Sequence, residues 1–392
     1  MGLVDGKAAN GILTVFLKGK IDSGNAAQVE EEIQALRQAN PADAIVLDAE
    51  SLNYISSAGL RVVLRLRKAN ADLKLVNVSS EVYEIFDMTG FTDMMTIEKA
   101  YRRLSVEGCE VIGQGANGKV YRLDPDTIIK VYMNPDSLAD IHRERELARK
   151  AFVLGIPTAI PYDVVKVDGS YGSVFERLHA KSFAKLIAAD PSQMDHIVEM
   201  YVDLLKQIHG TEVKPGDMPD MKAVALDWAE FLQGHLPEEQ YSKLHALIEA
   251  VPEDHHMMHG DYHVKNVMMQ DGEVLLIDMD TLCMGHPVFE FASIFLAYVG
   301  FLEQDHSIAM DFLGIPYESA VEVWEKTLRL YCGTDDEAVL SAFADKAMIV
   351  GYTRLLRRTI RRNGYDTEDG RSRIELCKSR LAELLARVDS LT

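Results

Sequence analysis

Residues 259–280 read HGDYHVKNVMMQDGEVLLIDMD, and this stretch constrains the chain more than any other. Apolar runs at Val267–Met269 and Val274–Ile277 flank Gln270-Asp271-Gly272, a turn signal, so the spacing predicts a β-hairpin. The two ends of that hairpin bring Asn266 and Asp278 together, with Asp261 in the loop ahead of the first strand. Phosphoryl transfer needs an acceptor for the attacking hydroxyl's proton and oxygen ligands for magnesium, which takes few protein ligands besides the phosphates. Asp261 suits the first requirement; Asn266 with Asp278 suits the second.

HGDxxxxN, followed 12 residues after the Asn by the Asp of LIDMD, resembles the catalytic loop and metal motif of aminoglycoside phosphotransferases and their choline-kinase-like relatives. Those families share the protein-kinase fold. The resemblance implies ATP and Mg2+ as cofactors, His259 as the residue that orients the loop, and Asp261 as the catalytic base. His286-Pro287-Val288-Phe289-Glu290 resembles the segment that braces this loop, with Glu290 where Asp is commoner. His255, His256, His259 and His263 do not read as a metal site, because Gly260 breaks any helical register among them.

The upstream sequence agrees with this reading. In VIGQGANGKVYRL, Gly113, Gly115 and Gly118 lie between Val111-Ile112 and Val120-Tyr121, a strand-turn-strand pattern. A dinucleotide-binding glycine loop would instead open a helix. Lys130 follows Gly118 by 12 residues, on the next strand, where a kinase lysine reaches the α and β phosphates. A helix expected over residues 137–154 carries Glu144 and Glu146, and either can pair with Lys130. Glu146 is preferred because Leu147 and Ala148 follow it inward. VFERL then resembles the hinge between lobes, with backbone groups around Glu176 to Leu178 reading the adenine edge. The resemblance places Gly113, Gly115, Gly118, Val120, Lys130, Glu176 and Leu178 at the nucleotide.

Residues 8–98 alternate strand and helix patterns, which argues for a small α/β domain with a sheet covered by helices. Asp22 or Ser23 is placed to cap its first helix. LDAESLNYISSAGLRVVLRLRK resembles the core of a STAS domain, the fold of bacterial anti-sigma-factor antagonists. That resemblance implies a regulatory phosphorylation site at Ser57, although Ser56 stands where phosphorylated members usually carry Asp; the other reading makes Ser57 a helix N-cap.

The formal charge of −20 repels phosphate backbones and anionic lipid, which argues against nucleic acid or a membrane as partner and leaves a cationic substrate compatible. Four widely spaced cysteines without a CxxC pair suggest neither zinc nor a disulfide framework. No leader and no long apolar run is evident, so a cytoplasmic location is expected. Arg354, Arg357, Arg358, Arg361 and Arg362 recur at helical spacing and read as a solvated helix face rather than a docking site for an acidic partner.

The expected fold is thus an α/β STAS-like domain followed by a two-lobed α+β protein-kinase-like domain with a mainly helical C-terminal lobe. Its expected divisions are residues 1–98, a linker at 99–108, an N-lobe and hinge at 109–178, and a C-lobe at 179–392. The expected function is ATP-dependent phosphorylation of a hydroxyl on a small molecule, with the STAS module regulatory and open to a protein partner. The alternative is a regulatory protein serine kinase acting on Ser57 or a partner. A non-enzymatic, nucleotide-gated binding module fits less well, since every catalytic position is filled. Against a protein kinase stand His263, where such enzymes usually carry Lys, and the absence of DFG and APE segments.

Overall fold

The computed structural model describes residues 2–115 and 118–392. The chain divides into two compact units, Met1–Ser105 with Val164–Asp168, and Val106–Asp163 with Gly169–Thr392.

The first unit runs β1 (Val4–Ala9), β2 (Ile12–Ile21), α1 (Ala26–Ala39), β3 (Ala44–Ile55), α2 (Ser57–Ala69), β4 (Lys74–Val78), α3 (Ser80–Met88), β5 (Ile97–Lys99) and β6 (Arg102–Arg103). Strands β1 to β5 form one sheet in chain order. The pair β1–β2 is antiparallel and the later pairs are parallel, so each of α1, α2 and α3 supplies the crossover that a parallel pair requires. Leu13, Val15 and Leu17 alternate into the core with Leu47, Leu75, Val78 and Phe86, all nearly inaccessible to solvent.

Three local expectations need correction. Strand β1 is absent from the sequence reading, although Asn10-Gly11, both at positive φ (52° and 75°), makes the tight turn into β2. The first helix begins at Ala26 with Asn25 at the cap, because β2 continues to Ile21 and Asp22 is used to accept from the Gly24 N–H. Ser56, not Ser57, caps α2, its side chain accepting from the Ala58 N–H at 3.2 Å. The junction also contains strand: Arg102 and Arg103 pair in parallel with Val165 and Lys166. Exposed charged side chains hid this strand, whose residues bury no apolar group that a pattern could reveal.

In the second unit β7 (Val111–Gln114), β8 (Gly118–Arg122), β9 (Thr127–Tyr132) and β11 (Ser170–Glu176) are successively antiparallel, with α4 (Leu138–Val153) inserted before β11; the chain also forms β10 (Pro161–Val167) there, whose last four residues belong to the first unit. Gly118 is sterically required, since a Cβ there would lie 2.3 Å from the Val131 carbonyl oxygen. Beyond β11 come β12 (Lys181–Ser182), α5 (Phe183–Ala189), α6 (Met194–His209), α7 (Met221–Phe231), α8 (Glu238–Glu249), β13 (Met257–Met258), the hairpin β14 (Val267–Gln270) and β15 (Glu273–Leu276), and β16 (Cys283–Met284). Helices α9 (Pro287–Phe295), α10 (Tyr317–Cys332), α11 (Glu337–Arg361) and α12 (Glu368–Leu385) complete this mainly helical part. Helix α6 buries Ile197, Tyr201, Leu204, Leu205 and Ile208 on one stripe, and each such aliphatic side chain contributes about 1.5–3 kcal/mol. No helix among the described residues is long and apolar enough to cross a membrane.

The buried side chains of the two units form separate clusters. A chain lacking residues 1–98, which retains Arg102 and Arg103 beside Val165 and Lys166, is therefore expected to fold, with a cooperative transition by circular dichroism. Loss of that transition would show that the helical unit depends on the first one for its core.

Candidate active site

The loop from His259 to Asn266 is held from beneath by a buried carboxylate. Glu290, on α9, accepts the backbone N–H of His259 at 2.5 Å and that of Gly260 at 3.0 Å. Gly260 has φ 79°, and a Cβ there would lie 2.5 Å from the Thr281 carbonyl oxygen, so no other residue fits. The Gly260 carbonyl in turn accepts from Ser293 Oγ at 2.8 Å and Arg354 Nη1 at 3.4 Å. His259 is fully buried; its Nε2 lies 3.1 Å from the Ile277 carbonyl, and its carbonyl accepts from Thr281 Oγ1 at 2.8 Å. Tyr262 and Tyr201 exchange hydroxyl-to-carbonyl bonds of 2.7 and 3.0 Å, pinning the middle of the loop to α6. Further along, the Val264 N–H donates to the Tyr298 hydroxyl at 2.9 Å.

Asp261 stands on this frame, half-buried, with Oδ2 3.5 Å from His263 Nε2. Burial works against its ionisation. The His263 hydrogen bond, with the charges of His263, His259 and Arg354, outweighs burial and brings the carboxyl down to about 2. The hairpin places Asn266 beside Ile277, whose N–H donates to the Asn266 carbonyl at 2.9 Å, and so next to Asp278 in the chain. Asn266 Nδ2 donates to the Asp261 carbonyl at 3.0 Å, which leaves its Oδ1 as the atom available to a cation.

Asp278 adopts a left-handed backbone, φ 67°, ψ 63°, uncommon for a residue with a side chain. Its Oδ1 accepts from Lys130 Nζ at 3.1 Å. Lys130 also donates to both oxygens of Glu144, at 2.9 and 3.1 Å, and the Tyr132 hydroxyl donates to the same carboxylate. Burial disfavours the lysine's charge, but Asp278, Glu144 and Asp280 more than compensate and raise its pKa. The preference for Glu146 is overturned. Glu146 lies 68% exposed on the other side of α4, paired with Lys150 at 3.1 Å, whereas Glu144 is buried in line with Ile141, Leu147 and Ala148. Two residues turn a helix by about 200°, so only one of the two glutamates can face Lys130.

Burial and the charge of Asp278 push the Asp280 carboxyl up to about 7, with Lys130 working in the opposite direction. The Asp278 charge opposes the ionisation of Asp280, a repulsion that a hard divalent cation would relieve. Among the described residues no group of three or more His, Cys, Asp or Glu side chains could hold a metal ion. Val120 lies opposite Lys130 in the β8–β9 register and shares its face of the sheet. At the hinge, the Glu176 N–H is bonded to the Ile160 carbonyl and the Arg177 N–H to the Asp126 carbonyl; Leu178 N–H carries no hydrogen bond among the described residues.

A cleft of about 360 Å³ reaches Glu144, Asp280 and Thr281 from α4. The larger cleft of the unit, about 1170 Å³, lies elsewhere, against Glu146, Val153, Pro215 and His255, and shares none of the residues around Lys130 or Asp261. Sequence reasoning missed Arg354, Ser293, Thr281 and the three tyrosines. Arg354 in particular is not solvated: it sits over the Trp228 ring at 5.4 Å and supports the loop. Replacement of Glu290 by Ala leaves the buried His259 N–H and the partly buried Gly260 N–H without their acceptor, a loss of about 1–3 kcal/mol for the buried one. The expected result is a clear drop in the urea midpoint together with loss of turnover; an unchanged midpoint would show that the loop holds itself.

Comparison with known proteins separates the same two parts. Residues 4–104 match the STAS domain and residues 108–316 match the phosphotransferase enzyme family. The chain is 39% identical over 93 residues to a putative anti-sigma factor antagonist, BtrV, of Bordetella bronchiseptica, and 27% identical over 90 residues to an anti-sigma-B factor antagonist of Listeria monocytogenes; each match spans 22% of this chain and 78% of the relative. A solved structure of a thermostable mutant of aminoglycoside phosphotransferase APH(4)-Ia, in ternary complex with ADP and hygromycin B, aligns with a TM-score of 0.50 at 13% identity, over 71% of this chain and 93% of that one. That likeness shows the kinase-like fold. With the family match covering more than half of its length, the chain belongs to the phosphotransferase enzyme family, and it carries a STAS domain ahead of the phosphotransferase domain.

Proposed function

We propose that the second unit transfers the γ-phosphate of ATP to a hydroxyl of a small molecule. The observation that carries this reading is Lys130 bonded at once to Glu144 and Asp278, with the low-pKa Asp261 on the adjoining loop. Leu178 N–H offers the adenine edge a donor, and Val120 gives the base an apolar neighbour. Glu144 and Tyr132 hold Lys130 for the α and β phosphates. Asn266 Oδ1 and Asp278 would hold magnesium, which when bound neutralises phosphate charge. Asp261 receives the proton of the attacking hydroxyl, and His259 keeps the loop in register through Ile277 and Thr281. The solved relative of the same fold holds ADP and hygromycin B together, in keeping with a nucleotide beside a hydroxyl-bearing acceptor.

The first unit acts in this reading as a regulatory module with a protein partner, as the names of its relatives suggest. One observation keeps Ser57 in view as an acceptor. It is exposed, and because Ser56 takes the capping role the Ser57 hydroxyl makes no hydrogen bond among the described residues. Incubation with ATP and magnesium is expected to leave no stoichiometric phosphate there. Full modification that disappears in both Ser57→Ala and Asp261→Asn would make the chain a regulatory serine kinase.

Asp261→Asn is expected to lose about 10²- to 10⁴-fold in kcat while binding nucleotide as before. Turnover within a few-fold of the parent would remove Asp261 from the role. Since its carboxyl ionises near 2, it stays charged at every pH above about 3 and loses its charge only as pH falls through 2. A pH–rate profile should thus show no acid limb near 4 that belongs to Asp261. Glu144→Gln removes a charge-assisted bond to Lys130 and should lower kcat/KM for ATP by about 10- to 100-fold. Glu146→Gln should change it less than about two-fold; equal effects from the two would contradict the pairing.

A further inference from the structure

The C-terminal turns of α11 carry Arg354, Arg357, Arg358, Arg361 and Arg362, and their surroundings differ. Arg357 is neutralised by Asp227 at 2.7 Å. Arg354 is committed to the Gly260 carbonyl and Ser293. Arg358, Arg361 and Arg362 form no ion pair with a carboxylate among the described residues and are exposed. Partial burial and the neighbouring charges of Arg362 and Arg354 press the Arg358 guanidinium below its ordinary value, Asp261 working the other way. In a chain whose overall charge is −20, this is a local excess of positive charge.

Rings connect this cluster to the reacting end of the site. Arg358 stands over the Phe301 ring at 5.3 Å, Phe301 meets Phe312 edge-on at 6.1 Å, and Phe312 meets His263 at 5.1 Å. His263 is the partner of Asp261. The strip therefore begins at the carboxylate proposed to take the proton, continues over two partly buried rings, and ends at guanidinium groups with no carboxylate partner among the described residues. Guanidinium forks recognise carboxylate and phosphate groups.

We propose that the phosphate acceptor is an anionic small molecule, a hydroxyl-bearing carboxylate or phosphate ester, with its negative group on Arg358 and Arg362 and its hydroxyl at Asp261. This rests on the phosphotransferase reading above. The acceptor hydroxyl gives its proton to Asp261, its oxygen bonds to the γ-phosphorus, and the bond from that phosphorus to the β–γ bridging oxygen breaks, its electron pair leaving on ADP. Cationic acceptors such as aminoglycosides meet positive charge at this end and are disfavoured.

The full chain can be tested with magnesium, ATP and hydroxyl compounds matched in size: glycerol, glycerate, glycerol 3-phosphate, choline and hygromycin B. ADP release above the basal rate is expected with the anionic members only. The double variant R358Q/R362Q should raise KM for those acceptors by about 10- to 100-fold, from the loss of charge-assisted bonds, and leave KM for ATP and the basal rate unchanged. Stimulation by neutral or cationic members equal to that by anionic ones overturns the proposal and leaves the phosphotransferase reading standing. So does transfer to an acidic peptide in preference to every small acceptor.

If no member stimulates, inorganic phosphate titrated at saturating ADP and magnesium decides, followed by tryptophan fluorescence, since Trp228 lies beneath Arg354. A saturable change that is lost in R358Q/R362Q supports the anion site, and in that case the absence of any turnover counts against the phosphotransferase reading instead. Identical titrations of the parent and the variant overturn the proposal.

Discussion

The site depends on a carboxylate that never meets substrate. Glu290 is inaccessible to solvent, and its two oxygens are occupied by consecutive backbone N–H groups, those of His259 and Gly260. Charge-assisted bonds in a dry interior are strong, and the same dryness makes them hard to replace with water. Around them the loop has almost no choice of path. Gly260 is wedged against the Thr281 carbonyl, Tyr262 is tied to α6, and Ser293 with Arg354 closes the other side. Asp261 inherits its place from these contacts more than from any contact of its own.

Opposed charges then set the chemistry on this frame. Lys130 gathers Glu144 and Asp278, and Asp261 is held ionised by His263 against the effect of its burial. Neighbouring carboxylates pull in different directions: Asp261 is driven to about 2 and Asp280 to about 7. What separates them is the nearest partner, an imidazole in one case and another carboxylate in the other.

The sequence made the hairpin, the loop and the glycine turn legible because each is a local pattern whose parts lie within a few residues of one another. Glu290 was also legible, through the segment that begins at His286. The choice between Glu144 and Glu146 failed on helical phase. Leu147 and Ala148 were correctly read as inward, and the residue three and four positions before them, Glu144, shares their face. Arg354 failed for a different reason. An arginine that stacks on Trp228 and bonds a carbonyl 94 residues away leaves no trace in spacing, since contacts across that distance are made only by the fold. The Asn10-Gly11 turn carried a plain hairpin signal, and only the polar, exposed character of β1 concealed the strand before it.

The left-handed backbone of Asp278 has a thermodynamic corollary. For a residue with a Cβ that conformation lies roughly 1–2 kcal/mol above the right-handed one, and the Lys130 ammonium is what the side chain meets there. In the proposed phosphotransferase reading, phosphate oxygens and the Asp278 carboxylate would compete for one cation, with the aspartate also the proposed metal donor. On that proposal nucleotide and metal would be linked ligands: whatever fraction of Lys130 is drawn to phosphate would free Asp278 for magnesium, and by reciprocity magnesium on Asp278 would strengthen the hold on phosphate by the same factor.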